Sequence, residues 1–161
     1  VGASGTQKLP DSQLDRFLLR LSMGYPYPAE ELEMLKRRQY GGGMDGVEQV
    51  VTREQLRLLR EETDRVHISD ELLRYIVRLV NATRSHPQLI QGASPRASLA
   101  VMSVSRAVAF LRGRDYVVPE DVQCIWTDAV AHRLLPAPGL EVSVQAIAAE
   151  ALKATPAPKI Q

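Results

Sequence analysis

In the stretch Gly92-Ala93-Ser94-Pro95-Arg96-Ala97-Ser98 three residue types fall in an order that builds an anion site. The Ser94 hydroxyl suits a helix N-cap, and Pro95 suits the first helical position, where no backbone donor is needed. Arg96 then falls in the first helical turn, beside free backbone N–H groups and the positive end of the helix dipole, a place that fits a phosphate. The alternative is that Ser-Pro-Arg only starts a buried helix and Arg96 is a surface charge. A second arginine, Arg16, follows Leu14-Asp15 where a short helix meets an apolar run, a rigid base from which a guanidinium can reach outward. Its alternative is an ion pair with Asp15 or with a core acid.

Other chemistries find less support. His67, His86 and His132 are far apart, and none pairs at helical spacing with another ligand type, so no metal site is expected. Ser94 lacks the glycine two residues on that a nucleophile elbow requires. Gly41-Gly42-Gly43 is not a phosphate loop, because such a loop needs lysine after glycine and the chain contains no Gly-Lys pair. Ile68-Ser69-Asp70-Glu71 is read as a helix cap, since Arg65 and His67 interrupt the apolar run that a strand ending in acids would need.

The elements that must hold these residues are mostly helices. Pro10-Asp11 starts a short helix, and Phe17–Leu21 has the apolar run of a strand, though no other segment shows strand patterning to pair with it. Tyr25-Pro26-Tyr27-Pro28 is a stiff connection and marks a boundary. Helices are then expected over Ala29–Arg38, ended by Gly41-Gly42-Gly43, and from a Thr52/Gln55 capping box to about Glu62. A further helix runs from Ser69 to His86-Pro87, with Leu72, Leu73, Ile76, Leu79, Val80 and Thr83 on one face. The central helix runs from Pro95 to about Arg112, with Ala97, Val101, Val104, Val108 and Leu111 as its buried stripe and Gly113 as its C-cap. Pro119-Glu120-Asp121 starts another, with Val122, Ile125, Trp126, Ala129 and Val130 inward and Trp126 read as core. Ser143 caps a last helix to about Ala154, ahead of a frayed tail Thr155-Pro156-Ala157-Pro158. The helices from Pro28 onward are expected to make one bundle, with the residues before Tyr25 loosely held.

The chain has 161 residues, 45% of them hydrophobic, which suits one domain or one domain plus a piece of another. Twenty basic residues against 19 acids leave a net charge of +1, a field that favours neither nucleic acid nor anionic lipid. Cys124 stands alone, which excludes an internal disulfide framework and fits a reducing, cytoplasmic compartment. No apolar run approaches the roughly 20 residues that span a bilayer. The start at Val1, followed by Gly2-Ala3-Ser4, reads as a cut fragment.

The ordered motifs Leu14-Asp15-Arg16-Phe17, Gly24-Tyr25-Pro26, Gly92-Ala93-Ser94-Pro95-Arg96-Ala97-Ser98 and Arg112-Gly113-Arg114-Asp115-Tyr116-Val117-Val118-Pro119-Glu120-Asp121-Val122 resemble the MoxR group of AAA+ ATPases over about Gly5 to Leu135. The resemblance implies a mainly α fold: a small helical bundle, the AAA+ lid (26–161), preceded by a helix-strand remnant of an α/β ATPase core (1–25). It makes Arg16 an arginine finger acting on a neighbouring subunit and Arg96 the sensor 2 arginine, with Ser94 and Pro95 beside it at the nucleotide. It also implies ATP and Mg2+ as ligands of the full-length protein, a ring of about six copies, and partners with von Willebrand factor A domains. This piece lacks the Walker motifs and is expected to be inactive by itself. The rival reading is a freestanding helical module that offers Arg74, Arg78, Arg84, Arg106, Arg112 and Arg114 to nucleic acid or an acidic protein.

Overall fold

The computed structural model describes residues 9–41, 47–139 and 143–159. Its helices are α1 (Asp11–Leu14), α2 (Pro28–Gln39), α3 (Arg53–Arg65), α4 (Asp70–Arg84), α5 (Pro95–Leu111), α6 (Pro119–Val130) and α7 (Val144–Ala154). Two short strands, β1 (Leu89–Gln91) and β2 (Leu135–Pro136), pair antiparallel. A 3-10 turn, Ala131–Arg133, joins α6 to β2. The protein divides into two compact units, residues 9–20 with 61–159 in the first and Leu21–Arg60 in the second. Of the helices expected from Pro28 onward, α2 buries none of its side chains and lies in the second unit.

In the first unit α4, α5, α6 and α7 enclose the core. Leu72, Tyr75, Ile76, Leu79, Val80, Ala97, Val101, Val122, Trp126, Val130 and Ile147 are almost wholly buried there. Each large apolar side chain so placed contributes roughly 1.5 to 3 kcal/mol. Trp126 fills the centre and satisfies its indole N–H on the Ala148 carbonyl at 2.7 Å.

Local chemistry sets the helix ends. The Ser69 and Ser143 hydroxyls accept backbone N–H groups of α4 and α7, and Thr52 with Gln55 forms the predicted reciprocal box. At the end of α5, Gly113 takes φ +71°, while Arg114 N–H reaches Ala109 O and Gly113 N–H reaches Phe110 O, a Schellman closure. The α5 stripe departs from its prediction at this end. Val108 is only half-buried and Leu111 is 83% exposed, because the buried side turns to Ala109 where the chain folds back toward α6. Gly41 has φ +78° after α2, and Gly42 and Gly43 lie outside the described residues.

Three further expectations are corrected. Phe17–Leu21 forms no strand, since its backbone finds partners elsewhere: Arg20 N–H donates to Asp128 O at 2.9 Å, and Phe17 O accepts from His132 and Arg133. These bonds tie the segment up to Arg20 into the first unit. The unforeseen strands β1 and β2 are too short to show alternation in the sequence. The tail is also held: Thr155 is buried with its hydroxyl on Ala151 O at 2.9 Å, and Arg78 reaches Pro156 O at 3.4 Å.

Candidate functional site

The start of α5 is fixed from two directions. On one side, a Cβ on Gly92 would lie 2.5 Å from Arg84 Cα and 2.6 Å from Arg84 N, so only glycine lets the chain pass the end of α4. The next residue is bonded through both of its backbone groups. Ala93 N–H donates to the buried Thr83 hydroxyl at 3.0 Å, and Arg84 Nε donates to Ala93 O at 2.9 Å. Ser94 follows as the N-cap, accepting Arg96 N–H at 3.2 Å, and Pro95 opens the helix at the position that needs no donor. The other direction is the loop after α1. The Ser94 hydroxyl lies 2.8 and 2.9 Å from the two carboxylate oxygens of Asp15 and donates to that carboxylate.

That loop carries Arg16, and a buried arginine fastens it. The Arg133 side chain is 2% exposed and spends its donors on Ala129 O (3.0 Å), Asp15 Oδ1 (3.4 Å) and Phe17 O. Burial pulls its pKa below the ordinary guanidinium value; the Asp15 charge opposes that shift and Arg96 adds to it. Beside it, His132 Nε2 donates to Phe17 O at 3.0 Å. Burial lowers the His132 pKa below its ordinary value. The Phe17 and Asp128 carbonyls resist this, while the Arg133 and Arg20 charges reinforce it; with Nε2 on the Phe17 carbonyl, the neutral form that fits carries its proton there.

These elements enclose a cavity of about 340 Å3, lined among others by Asp15, Arg16, Ser94, Arg96, His132 and Arg133. Its charged lining is three guanidinium groups against the carboxylates of Asp11 and Asp15. Arg16, Ser94 and Arg96 are thus brought to one place, while Pro95 serves the helix start. The ion pair considered for Arg16 and Asp15 does not form: Asp15 engages Ser94, Arg133 and, at 3.8 Å, Arg96. Among the described residues Arg16 is exposed and makes no ion pair. A larger cavity of about 640 Å3, between His67, Ser69, Glu71, Tyr116 and Lys159, contains none of these groups. Arg133 was not singled out in the sequence, and Gly92 was read only as the first residue of its motif, without a role. The acceptors of Arg133 on Asp15 and Phe17 lie more than 110 residues away, so no local pattern signals its role.

The model of the AAA lid domain matches residues 81–151, from the end of α4 through Ser94-Pro95-Arg96 into α7. The protein YeaC of Bacillus subtilis, itself uncharacterized, is 40% identical over 94% of this chain and 47% of its own length. Chaperone MoxR1 of Mycobacterium tuberculosis is 39% identical over 81% of this chain and 37% of its own. The crystal structure of a candidate ATPase from Cytophaga hutchinsonii matches 99% of this chain and 52% of that one, with a TM-score of 0.89 at 30% identity. The chain belongs to the MoxR-type AAA+ ATPase family. It spans about half the length, or less, of the relatives it matches. In MoxR-type terms, the cavity brings a residue of the lid helix α5 beside the loop after α1, within one compact unit.

Proposed function

We propose that this chain is the lid-bearing part of a larger MoxR-type ATPase, in which ATP binding and hydrolysis drive the remodelling or activation of client proteins. The observation that carries the reading is that Arg16 and Arg96 line one cavity at the start of a 17-residue helix. On this reading residues 1–25 end the nucleotide-binding core and 26–161 form the lid. The first-turn amides of α5 and the Arg96 guanidinium hold the terminal phosphate of ATP, with Ser94 and Pro95 shaping that turn. Arg16 reaches a nucleotide on the neighbouring subunit and stabilises charge as the phosphoryl group transfers, work for which a planar guanidinium suits better than an ammonium.

The arginines that line the cavity suit the phosphate end of the nucleotide. Among the described residues no three metal-ligating side chains come together, and the chain has no Gly-Lys pair. The magnesium ligands and the β-phosphate cradle therefore belong, in this proposal, to the rest of the larger protein, and the chain alone is inactive. A cytoplasmic ring of about six copies, working with von Willebrand factor A domain partners, completes the proposal. Among the described residues no helix is long and apolar enough to cross a membrane. The rival arginine-rich module loses support from the pairing of its side chains: Arg84 serves Ala93 and Asn81, Arg112 and Arg114 serve Asp121, and Arg78 lies over Tyr75.

The test is ATP affinity and turnover of the larger protein with Arg16→Ala or Arg96→Ala, with thermal unfolding as control. Arg16→Ala should lower turnover on the order of 10³ to 10⁵-fold at nearly unchanged affinity. Arg96→Ala should weaken ATP binding as well as turnover. Normal turnover in Arg16→Ala, or loss only through unfolding, would remove the finger assignment.

A further inference from the structure

Arg133 fastens both neighbours of Arg16, the Asp15 carboxylate and the Phe17 carbonyl, with one guanidinium. The same Asp15 carboxylate receives the Ser94 hydroxyl that caps α5 and faces Arg96. We propose that Asp15 and Arg133 are positioning residues: Arg133 sets the reach of Arg16, and Asp15 links that setting to whether Arg96 is engaged by phosphate. The inference rests on the sensor reading of Arg96 and on the finger reading of Arg16.

The geometry ranks the partners of Asp15. Arg133 is buried and bonded to two carbonyls besides, so it cannot leave without stranding a charge in the interior. Ser94 is held by the helix it caps. Arg96 is the loose partner, at 3.8 Å with its side chain about half exposed. A phosphate oxygen offers Arg96 a stronger, planar-matched acceptor than this distant carboxylate. Once Arg96 turns to phosphate, Asp15 keeps only Arg133 and Ser94, and its carboxylate settles toward them. Arg16 is the next residue in the chain, so its backbone moves with that change. Through Ser94, whose oxygen accepts the Arg96 N–H while its hydrogen goes to Asp15, the first turn of α5 is also part of the linkage.

The experiment uses the larger ATP-hydrolysing protein. Asp15→Asn keeps the shape and an acceptor for Ser94 but removes the charge that competes for Arg96. ATP affinity should rise about twofold to fivefold, the scale of an exposed ion pair. Turnover should fall on the order of 100-fold, since Arg16 is no longer held in register. In an Arg96→Ala background the same substitution should leave affinity unchanged. Arg133→Lys should lower turnover with affinity unaltered, as an ammonium cannot bridge residues 15 and 17. A residue that serves stability alone would instead lower melting temperature with affinity and turnover falling together, or change neither, and either result overturns the inference. Unchanged ATP affinity in Arg96→Ala would sink the sensor reading itself. Weakened affinity there, without the gain in Asp15→Asn, sinks only the linkage.

Discussion

His132 faces the Phe17 carbonyl on one side and the positive charges of Arg133 and Arg20 around it. Protonation would place a charge in a buried position beside Arg133, with Arg20 adding to the repulsion from the surface, so the folded protein holds this imidazole neutral below its ordinary pKa. The sign for stability follows from linkage: the contribution is complete above about pH 6.5 and is lost as pH falls through the folded value, because the unfolded chain takes the proton first. Melting temperatures from pH 7.5 down to 5 should therefore fall more steeply for the native chain than for His132→Gln. Parallel curves would show that His132 is not held neutral. At this scale Ser94, Pro95 and Arg96 were legible, because capping is chemistry between residues two or three apart. His132 and Arg133 were not, since what makes them matter is a carbonyl at Phe17 that only the tertiary fold supplies.

The corner from α5 into α6 shows how one acid can fix two elements. Asp121 is fully buried in the first turn of α6 and accepts from Arg112 at 2.8 Å, from Arg114 at 2.6 and 2.7 Å, and from Val118 N–H at 2.9 Å. Burial pushes its carboxyl up, but the Arg114 bonds, the Val118 amide and the charges of Arg114 and Arg112 together hold it below the ordinary range. Asp121→Ala removes the acceptor and leaves both guanidinium groups crowded. A loss of about 3 to 5 kcal/mol is expected, at the lower end because Arg112 is half exposed. Urea unfolding measures it, and a loss under about 1 kcal/mol would mean that the corner stands without the clamp. The helices could be read from caps and three- and four-residue spacing. The run Phe17–Leu21 misled because its apolar pattern reports only the wish to be covered, while its Phe17 carbonyl went to side chains and its Arg20 amide to α6. β1 and β2 escaped notice for the opposite reason, being shorter than one period of any pattern.

For the whole molecule, the two compact units differ in kind. The first has a closed core and nearly all of the polar network described above. The second unit, Leu21–Arg60, has no buried residue among those described, and Met23 and Tyr25 are 100% and 99% exposed. Leu32, Met34 and Leu35 of α2 are all more than half exposed. Single exposed apolar residues are ordinary, but so many within 40 residues is not. The consequence lies in how the protein behaves as a solute. A solution of this chain should scatter light increasingly with concentration and brighten a dye that reports on apolar surface. Replacing Leu32, Met34 and Leu35 by Gln should reduce both signals and leave the melting temperature of the first unit where it was, since none of the three contributes to a core. Scattering that stays low at every concentration, or a melting temperature that drops with these changes, would show that those side chains are covered in solution.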